Sequence, residues 1–300
     1  MKAWLSLGVV AALLAGCGPS EPQGSFETGT GRVLASLSGT GTDGAVYRLV
    51  GWTLQFEGPE SLVVPETSDD TVAVPLRAGS YSVALVGDWH VERTDVPGVH
   101  VDVELVSPNP LGIVVRDQED TPVRFIFKLP LQGAASVSMG VDSGGWISGV
   151  MQLQGSEDPN ASRAFGALTG VPVPFTISYD FARVERSTFR TTIDTGPVVV
   201  QFGGPASSIL HEEFAEALSG QNLRIELTAA GDDVQVAVGP LMSMGPGPLY
   251  ALDVSLPVVP GAFDENGSPK LGVFVADAEL HLTKGAAFAT ATAQVTVVAR

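Results

Sequence analysis

Alternating apolar and polar residues are the dominant pattern along this chain. In WTLQF, residues 52–56, and in SYSVALV, residues 80–86, every second side chain inside the run is large and apolar. A period of two residues is typical of a β-strand that buries one face. Such runs predict a β-sandwich over residues 32–129, with strands at 32–38, 45–50, 51–57, 71–76, 80–86, 99–106, 111–116 and 123–129.

The same alternation resumes after Leu129-Pro130, which we take as the domain boundary. The later runs lie at 137–141, 147–153, 175–181, 189–193, 223–227 and 234–238. Two final runs, 271–282 and 288–299, are joined by Thr283-Lys284-Gly285 and predict a C-terminal hairpin. We therefore expect an all-β protein with two β-sandwich domains, the second spanning residues 130–300.

One segment of the second domain has helical periodicity. In SSILHEEFAEALSG, residues 207–220, the apolar side chains recur three or four positions apart. Ser207 or Ser208 is suited to cap a helix, and Gly220 is suited to end it. The pattern predicts one short helix near residues 208–218, packed on a sheet.

The first 16 residues have the pattern of a secretory signal peptide. Lys2 precedes an apolar run of about 12 residues, whereas a membrane-spanning helix needs about 20. The run ends in Leu14-Ala15-Gly16-Cys17, and Cys17 is the only cysteine in the chain. An ordinary signal peptide followed by a chance cysteine is the alternative interpretation.

These four residues resemble the bacterial lipobox. In lipoproteins the cysteine thiol receives a diacylglyceryl group, the signal is cut before the cysteine, and the new N-terminus is acylated. The resemblance implies that residues 1–16 are removed and that Cys17 is lipidated, with palmitate as an acyl chain. Residues 17–31 are rich in Pro, Gly, Ser and Glu, so we expect a flexible tether there. No Asp lies next to Cys17, which favours the outer membrane, on its periplasmic or cell-surface face.

Charge and composition narrow the range of partners. The full chain has a net charge of −17, and removal of the signal takes away only Lys2, which leaves 15 basic and 33 acidic residues and a net charge of −18. Nucleic acids and anionic lipid headgroups are bound by basic patches, so both are poor partners for this chain. We expect a folded protein that reaches the membrane through its lipid anchor and has envelope proteins or glycans as partners.

The first domain carries a further resemblance. Asp43-Gly44 forms a predicted turn, and Leu76, Gly79 and Tyr81 follow the pattern L-x-x-G-x-Y. Over residues 32–89 the chain resembles prealbumin-like modules, which occur in secreted bacterial proteins, beside carboxypeptidases, and in lipoproteins of high-GC deltaproteobacteria. That family is mostly structural or adhesive and has no common catalytic residues, so the resemblance implies a non-catalytic role.

One predicted strand carries candidate metal ligands. His100, Asp102 and Glu104 alternate with valines, so their side chains share one face, where imidazole and carboxylate groups can bind one ion. The solvent face of an amphipathic strand explains the same residues without a metal, and both interpretations stay open. Acidic turns such as Asp264-Glu265-Asn266 are typical of weak calcium sites and also of ordinary turns. Weak Ca²⁺ binding is the only cofactor expectation.

Other motifs argue against catalysis. GTGTDG, residues 39–44, matches the dinucleotide glycine pattern but precedes a predicted strand and not a helix. At His211, HEEFA lacks the second histidine of H-E-x-x-H, because Ala215 stands in its place, and we interpret His211 as a residue of the helix surface. Among the tryptophans, Trp52 is expected in the core, and Trp89 is the candidate for an exposed ligand-binding aromatic.

These features predict a lipid-anchored envelope lipoprotein with a non-catalytic structural, adhesive or accessory-subunit role. The alternative is a surface protein that binds a glycan or a small ligand. A hydrolase built on an unrecognised frame is the third hypothesis.

Overall fold

The computed structural model describes residues 29–40, 45–128, 144–204 and 209–299. The predicted signal peptide, Cys17, the turn at Asp43-Gly44 and the boundary at Leu129-Pro130 lie outside these residues. The described chain is mostly β-strand with two short helical segments, so the all-β prediction is confirmed. None of its helices is both long enough and apolar enough to cross a membrane.

Residues 29–128, here called the N-terminal module, consist of short strands. The first begins at Thr30, two residues before the predicted start of the first domain. In chain order the strands are β1 (Thr30–Ser36), β2 (Ser38–Thr40), β3 (Val46–Val50), β4 (Thr53–Glu57), β5 (Leu62–Pro65), β6 (Thr71–Arg77), β7 (Gly79–Val86), β8 (His90–Arg93), β9 (His100–Val101), β10 (Glu104–Leu105), β11 (Leu111–Val115), β12 (Asp120–Val123) and β13 (Phe127–Lys128).

These strands form four small sheets around one core. The sheets have the orders β12-β1-β6, β2-β3-β8-β9, β11-β7-β4-β5 and β10-β13, and every pairing is antiparallel except β1 with β12. The apolar faces predicted for β4, β6 and β7 are buried, and Trp52 lies in the core as expected. Leu76 and Tyr81 of the predicted L-x-x-G-x-Y pattern are core residues as well.

Two predicted strands of this module are each split in the structure. The 99–106 run pairs first with β8, through β9, and then with β13, through β10, so residues 102 and 103 belong to neither ladder. The 123–129 run is interrupted at residues 124–126, where its backbone groups bond to side chains. Both predictions of a continuous strand were wrong, because a change of partner ends a ladder without changing the apolar pattern.

Residues 144–299, here called the C-terminal module, contain longer strands and two helical segments. The helical segments are α1 (Pro159–Phe165), extended by one 3₁₀ turn (Gly166–Leu168), and a π-helical stretch (Ile209–Ala215) that continues as Glu216–Leu218. The strands are β14 (Trp146–Leu153), β15 (Pro172–Tyr179), β16 (Ala182–Ser187), β17 (Arg190–Phe202), β18 (Asn222–Ala230), β19 (Asp233–Val238), β20 (Leu241–Met242), β21 (Tyr250–Pro260), β22 (Val273–Lys284) and β23 (Ala287–Val298).

The sheet of the C-terminal module closes on itself. Eight strands pair in the cyclic order β14-β23-β22-β21-β19-β18-β17-β15, and β15 returns to pair with β14. The predicted C-terminal hairpin is confirmed as β22 and β23, which pair from Val273 opposite Val298 to Lys284 opposite Ala287. The layers that face each other across the core are therefore halves of one closed sheet. The sequence predicted a sandwich of two separate sheets, because alternation is the same in both arrangements.

The long strand β17 makes this closure possible. Its first half pairs with β16 and β18, and its second half, from Val198 to Phe202, pairs with β15. The register shifts between Asp194 and Pro197. Because proline has no N–H to donate, it interrupts a ladder, and such an irregularity bends a strand. Pro197 thus lies where β17 changes from one partner to the next.

Both helical segments lie at the same end of the closed sheet. The α1 segment connects β14 to β15, and the segment 209–218 connects β17 to β18. Their inner faces join the core, and the rings of Phe165 and Phe214 approach to 5.9 Å between centroids. The predicted helix near residues 208–218 is confirmed, whereas α1 was not predicted from the sequence.

The N-terminal module covers part of the outer surface of the closed sheet. Thr176, Ser178 and Gln201 lie on outward positions of β15 and β17, yet all three are buried. Beside them, a small apolar cluster joins the modules, made of Val106, Ile126, Trp146 and Val298. We call this contact the junction.

Buried hydrogen bonds span the junction. The Gln201 amide accepts a bond from the Ser107 hydroxyl at 2.7 Å and donates one to the Arg124 carbonyl at 2.9 Å. The Ser107 oxygen in turn accepts from the Ile126 N–H at 2.7 Å. The Thr176 hydroxyl donates to the Val106 carbonyl at 2.8 Å. Each of these buried groups has a partner, as stable interiors require.

Replacement of Gln201 tests the importance of this network. We expect Gln201→Leu to lower the free energy of unfolding by about 1–3 kcal/mol, because it leaves the Arg124 carbonyl and the Ser107 hydroxyl without their partner. Urea denaturation of the purified protein measures the change. The matched control is Gln152→Leu, an exposed outward position of β14, which should change stability by less than about 0.5 kcal/mol. Equal effects of the two substitutions would contradict a role for the buried network.

Candidate functional site

A cleft of about 650 Å³ lies beside the junction. Its walls come from β11 and Arg116, from Thr121, Pro122 and Arg124, from the end of β17, and from residues between 211 and 219. Pockets of about 300–1,000 Å³ accommodate small molecules, and they occur preferentially where two domains meet. Size and position make this cleft a candidate binding site.

The cleft combines apolar walls with charged groups at its margin. Arg116 of the N-terminal module pairs with Glu216 of the C-terminal module at 2.8 Å, and both are exposed. Such an exposed pair contributes at most about 1 kcal/mol. Arg124 also lines the cleft, and its Nε is buried without a hydrogen-bond partner. A guanidinium group in the lining of a cleft is suited to an anionic group of a ligand.

His211 is part of the cleft wall and not of the open helix surface, which corrects the interpretation from sequence. Its ring lies edge-on to Phe202, with centroids 6.5 Å apart. The ring also packs so closely over Gly112 of β11 that any side chain at that position would overlap it. Gly112 is therefore needed for the segment 209–218 to approach the N-terminal module.

The hydroxyl groups of the cleft wall already make hydrogen bonds. Thr121 Oγ1 donates to the Val114 carbonyl at 3.1 Å, and Ser219 Oγ accepts from the Val200 N–H at 3.0 Å. Both hydroxyl oxygens thus have a backbone partner.

The segment 209–218 is fixed to the closed sheet by Glu213. The carboxylate accepts a bond from the Tyr250 hydroxyl at 2.6 Å and pairs with Lys284 Nζ at 2.6 Å. Burial alone would raise the pKa of Glu213, but the bonds from Lys284 and Tyr250 outweigh it and lower that pKa below 4.5. Burial and the bond to Glu213 raise the pKa of Tyr250 to about 12. The wall that carries His211 therefore depends on an ionised Glu213.

Strand pairing gives His100 different neighbours from those predicted from the sequence. His100 lies opposite Glu92 in the β8–β9 register, and His90 precedes Glu92 by two residues on the same face of β8. We call His90, Glu92 and His100 the histidine cluster. One ligand atom from each of the three lies within 4.8 Å of the other two. The two imidazole rings are stacked with centroids 3.7 Å apart.

Asp102 and Glu104 are not part of this cluster. Both are exposed; Asp102 lies in the break between β9 and β10, and Glu104 is the first residue of β10. The predicted trio His100, Asp102 and Glu104 was wrong as a grouping, because β9 ends at Val101. The alternation His90-Val91-Glu92 was the sequence signal for the missed ligands, but only the register places them beside His100.

Trp89 is half-buried and belongs partly to the core. Its ring packs edge-on against the buried Phe127, with centroids 5.4 Å apart. It is more exposed than Trp52 and Trp146, as expected. The packing against Phe127 takes up part of the ring, so Trp89 does not form an open aromatic platform.

Comparison with protein-family models, with curated proteins and with solved structures finds no match to this chain. The lipobox and the prealbumin-like resemblance therefore remain predictions from sequence motifs.

Acid titration tests the role of Glu213. Since its folded pKa is lowered, Glu213 stabilises the fold above the unfolded pKa of about 4.5, and this contribution is lost as the pH falls through the folded pKa. We expect Glu213→Gln to cost about 1 kcal/mol near neutral pH, discounted for partial exposure, and much less near pH 3. Urea denaturation at both pH values measures the difference.

The matched control for this prediction is Glu212→Gln, since Glu212 is the adjacent carboxylate and faces the cleft. Its effect should be small. An effect of Glu213→Gln that stays constant from neutral to acid pH would contradict the assignment.

Proposed function

We propose that this protein is an outer-membrane lipoprotein, lipid-anchored through Cys17, with a non-catalytic structural, adhesive or accessory-subunit role. The observation that carries the proposal is the motif Leu14-Ala15-Gly16-Cys17 directly after an apolar run too short to span a membrane. The same chain contains no other cysteine. An attachment point is the simplest use for a single thiol in this position.

The physical chemistry of anchoring agrees with this proposal. Each buried acyl CH₂ contributes about 0.8 kcal/mol, and two or more acyl chains give stable attachment. A net charge of −18 after cleavage would keep the folded modules away from anionic headgroups. A tether between lipid and first strand would then hold the modules near the membrane without adhesion to it.

Two structural features support a non-catalytic role. The junction joins the modules through buried hydrogen bonds and an apolar cluster, which suits a body that presents fixed surfaces. In the cleft, the hydroxyls of Thr121 and Ser219 are bonded to backbone groups. Such a body is suited to hold a partner in place within the envelope.

Replacement of Cys17 tests the anchor. We expect Cys17→Ser to abolish incorporation of labelled palmitate and to release the protein from the membrane fraction, because no thiol remains to accept the lipid. Metabolic labelling and fractionation of cells measure both effects, and mass spectrometry of the mature N-terminus identifies the modified residue. Ser20→Ala, three residues further along the predicted tether, is the control and should behave as the wild type. Normal processing and membrane retention of Cys17→Ser would refute the lipoprotein proposal.

Binding of a small ligand is the second candidate function, and the cleft is the observation that favours it. Its volume of about 650 Å³, its apolar walls and the Arg124 guanidinium in its lining together suit a small molecule with an anionic group.

Filling the cleft tests this second candidate. We expect native mass spectrometry of the protein purified from its own membranes to show a bound small molecule, which Ala215→Trp should remove because the indole occupies the cleft. The control is Ala286→Trp, an exposed position after the end of β22, which should retain the ligand. Wild-type protein without any bound small molecule, or equal retention of the molecule by Ala215→Trp, would contradict ligand binding in the cleft. The structural role would then be the remaining proposal.

A further inference from the structure

We propose that the histidine cluster binds one divalent first-row metal ion, with Zn²⁺ as the physiological candidate. The ligands would be one imidazole nitrogen from each of His90 and His100 and one carboxylate oxygen from Glu92. This site is independent of the lipid anchor and of the cleft.

Strand pairing brings the ligands together. Glu92 on β8 is the register partner of His100 on β9 and of Arg48 on β3, so these three side chains form one row across the sheet. His90 lies on the same face, two residues before Glu92. The opposite face of the same strands, with Tyr47, Leu49 and Val91, belongs to the core, so the cluster lies on the outer surface of a rigid sheet.

The distances are close to those of a bound ion. Zinc bonds to nitrogen and oxygen ligands of about 2.0–2.1 Å place neighbouring ligand atoms about 3.3 Å apart in a tetrahedron. The three ligand atoms here already lie within 4.8 Å of one another. His100 is exposed, so its ring has room to turn toward the other two ligands. The fourth position of the tetrahedron then faces solvent and suits a water molecule.

Glu92 is held in place by two neighbouring side chains. It is only 7% exposed, and its Oε2 accepts from Arg48 Nη2 at 3.3 Å while its Oε1 contacts His90 Nε2 at 2.9 Å. Arg48 thus fits the role of an outer partner that orients a metal-bound carboxylate. Metal binding would replace the contact between His90 and Glu92 and leave the contact with Arg48 in place.

The donor set selects the kind of metal. Two imidazoles and one carboxylate suit Zn²⁺ and its first-row neighbours, whereas Ca²⁺ and Mg²⁺ take oxygen ligands almost exclusively. Without a metal, the two stacked imidazoles contact one another beside a single carboxylate. A shared cation gives both rings a favourable partner, and the strongly negative net charge of the chain favours a cation.

A calorimetric titration with Zn²⁺ tests the proposal. It uses the full-length chain, solubilised in detergent. We expect saturable binding of one ion, and visible absorption bands of a four-coordinate site when Co²⁺ is used as the probe. Ca²⁺ should give no heat of binding at this site and should not compete with Zn²⁺ for it. His100→Ala and Glu92→Gln should each abolish this binding, and Arg48→Met should weaken it by about 10- to 100-fold, the usual effect of losing an outer partner.

The matched control is His281→Ala. His281 is also half-buried, lies 4.0 Å from a carboxylate of Glu279, and stacks on a ring, that of Phe288, but has no second imidazole beside it. Its loss should leave Zn²⁺ affinity unchanged. Thermal unfolding of each variant without metal shows whether it folds, and added Zn²⁺ should raise the melting temperature of the wild type but not of His100→Ala. Absence of binding by the wild type, or binding that survives both His90→Ala and His100→Ala, would overturn the proposal.

Discussion

The Gln201 side chain points outward from the closed sheet, but the N-terminal module covers it, so its amide must find partners inside the protein. It does so in Ser107 and in the Arg124 carbonyl, which belong to the other module. Removal of either partner leaves a buried polar group unsatisfied, at a cost of about 1–3 kcal/mol. Because the bonds are directional, they also fix how the modules sit against one another. The shape of the cleft, which has a wall from each module, depends on this constraint.

The predicted strands follow from alternation, and most of them are present. The inward-facing residues of β4, β6 and β7 were correctly identified because one side of each strand faces a core. The pattern could not show that the outward residues Thr176 and Gln201 are buried, since a polar residue under a second module has the same sequence signature as one in water. The pattern also could not show the breaks at residues 102–103 and 124–126. They arise from changes of partner and from bonds across the junction, which are long-range effects.

The candidate sites differ in how much of them sequence could reveal. His100 was identified by its alternation with valines, but its true neighbours lie on β8, and only the register brings Glu92 opposite to it. The cleft was not predicted, because its walls come from four stretches of chain between Leu111 and Ser219. The predicted lipobox at Cys17 is different in kind, since it is a contiguous motif and needs no fold to be recognised.

Closure of the sheet has a consequence for how other molecules engage the C-terminal module. In an open sheet, the outermost strand exposes a row of N–H and C=O groups to which a foreign strand can add. The eight ring strands described here form their ladders with one another, and the short strands β16 and β20 are each paired on one side only. Apart from strand addition at these two short edges, recognition of the ring relies on side chains. Sequence changes at its outward positions can therefore alter specificity while the backbone that supports them stays the same.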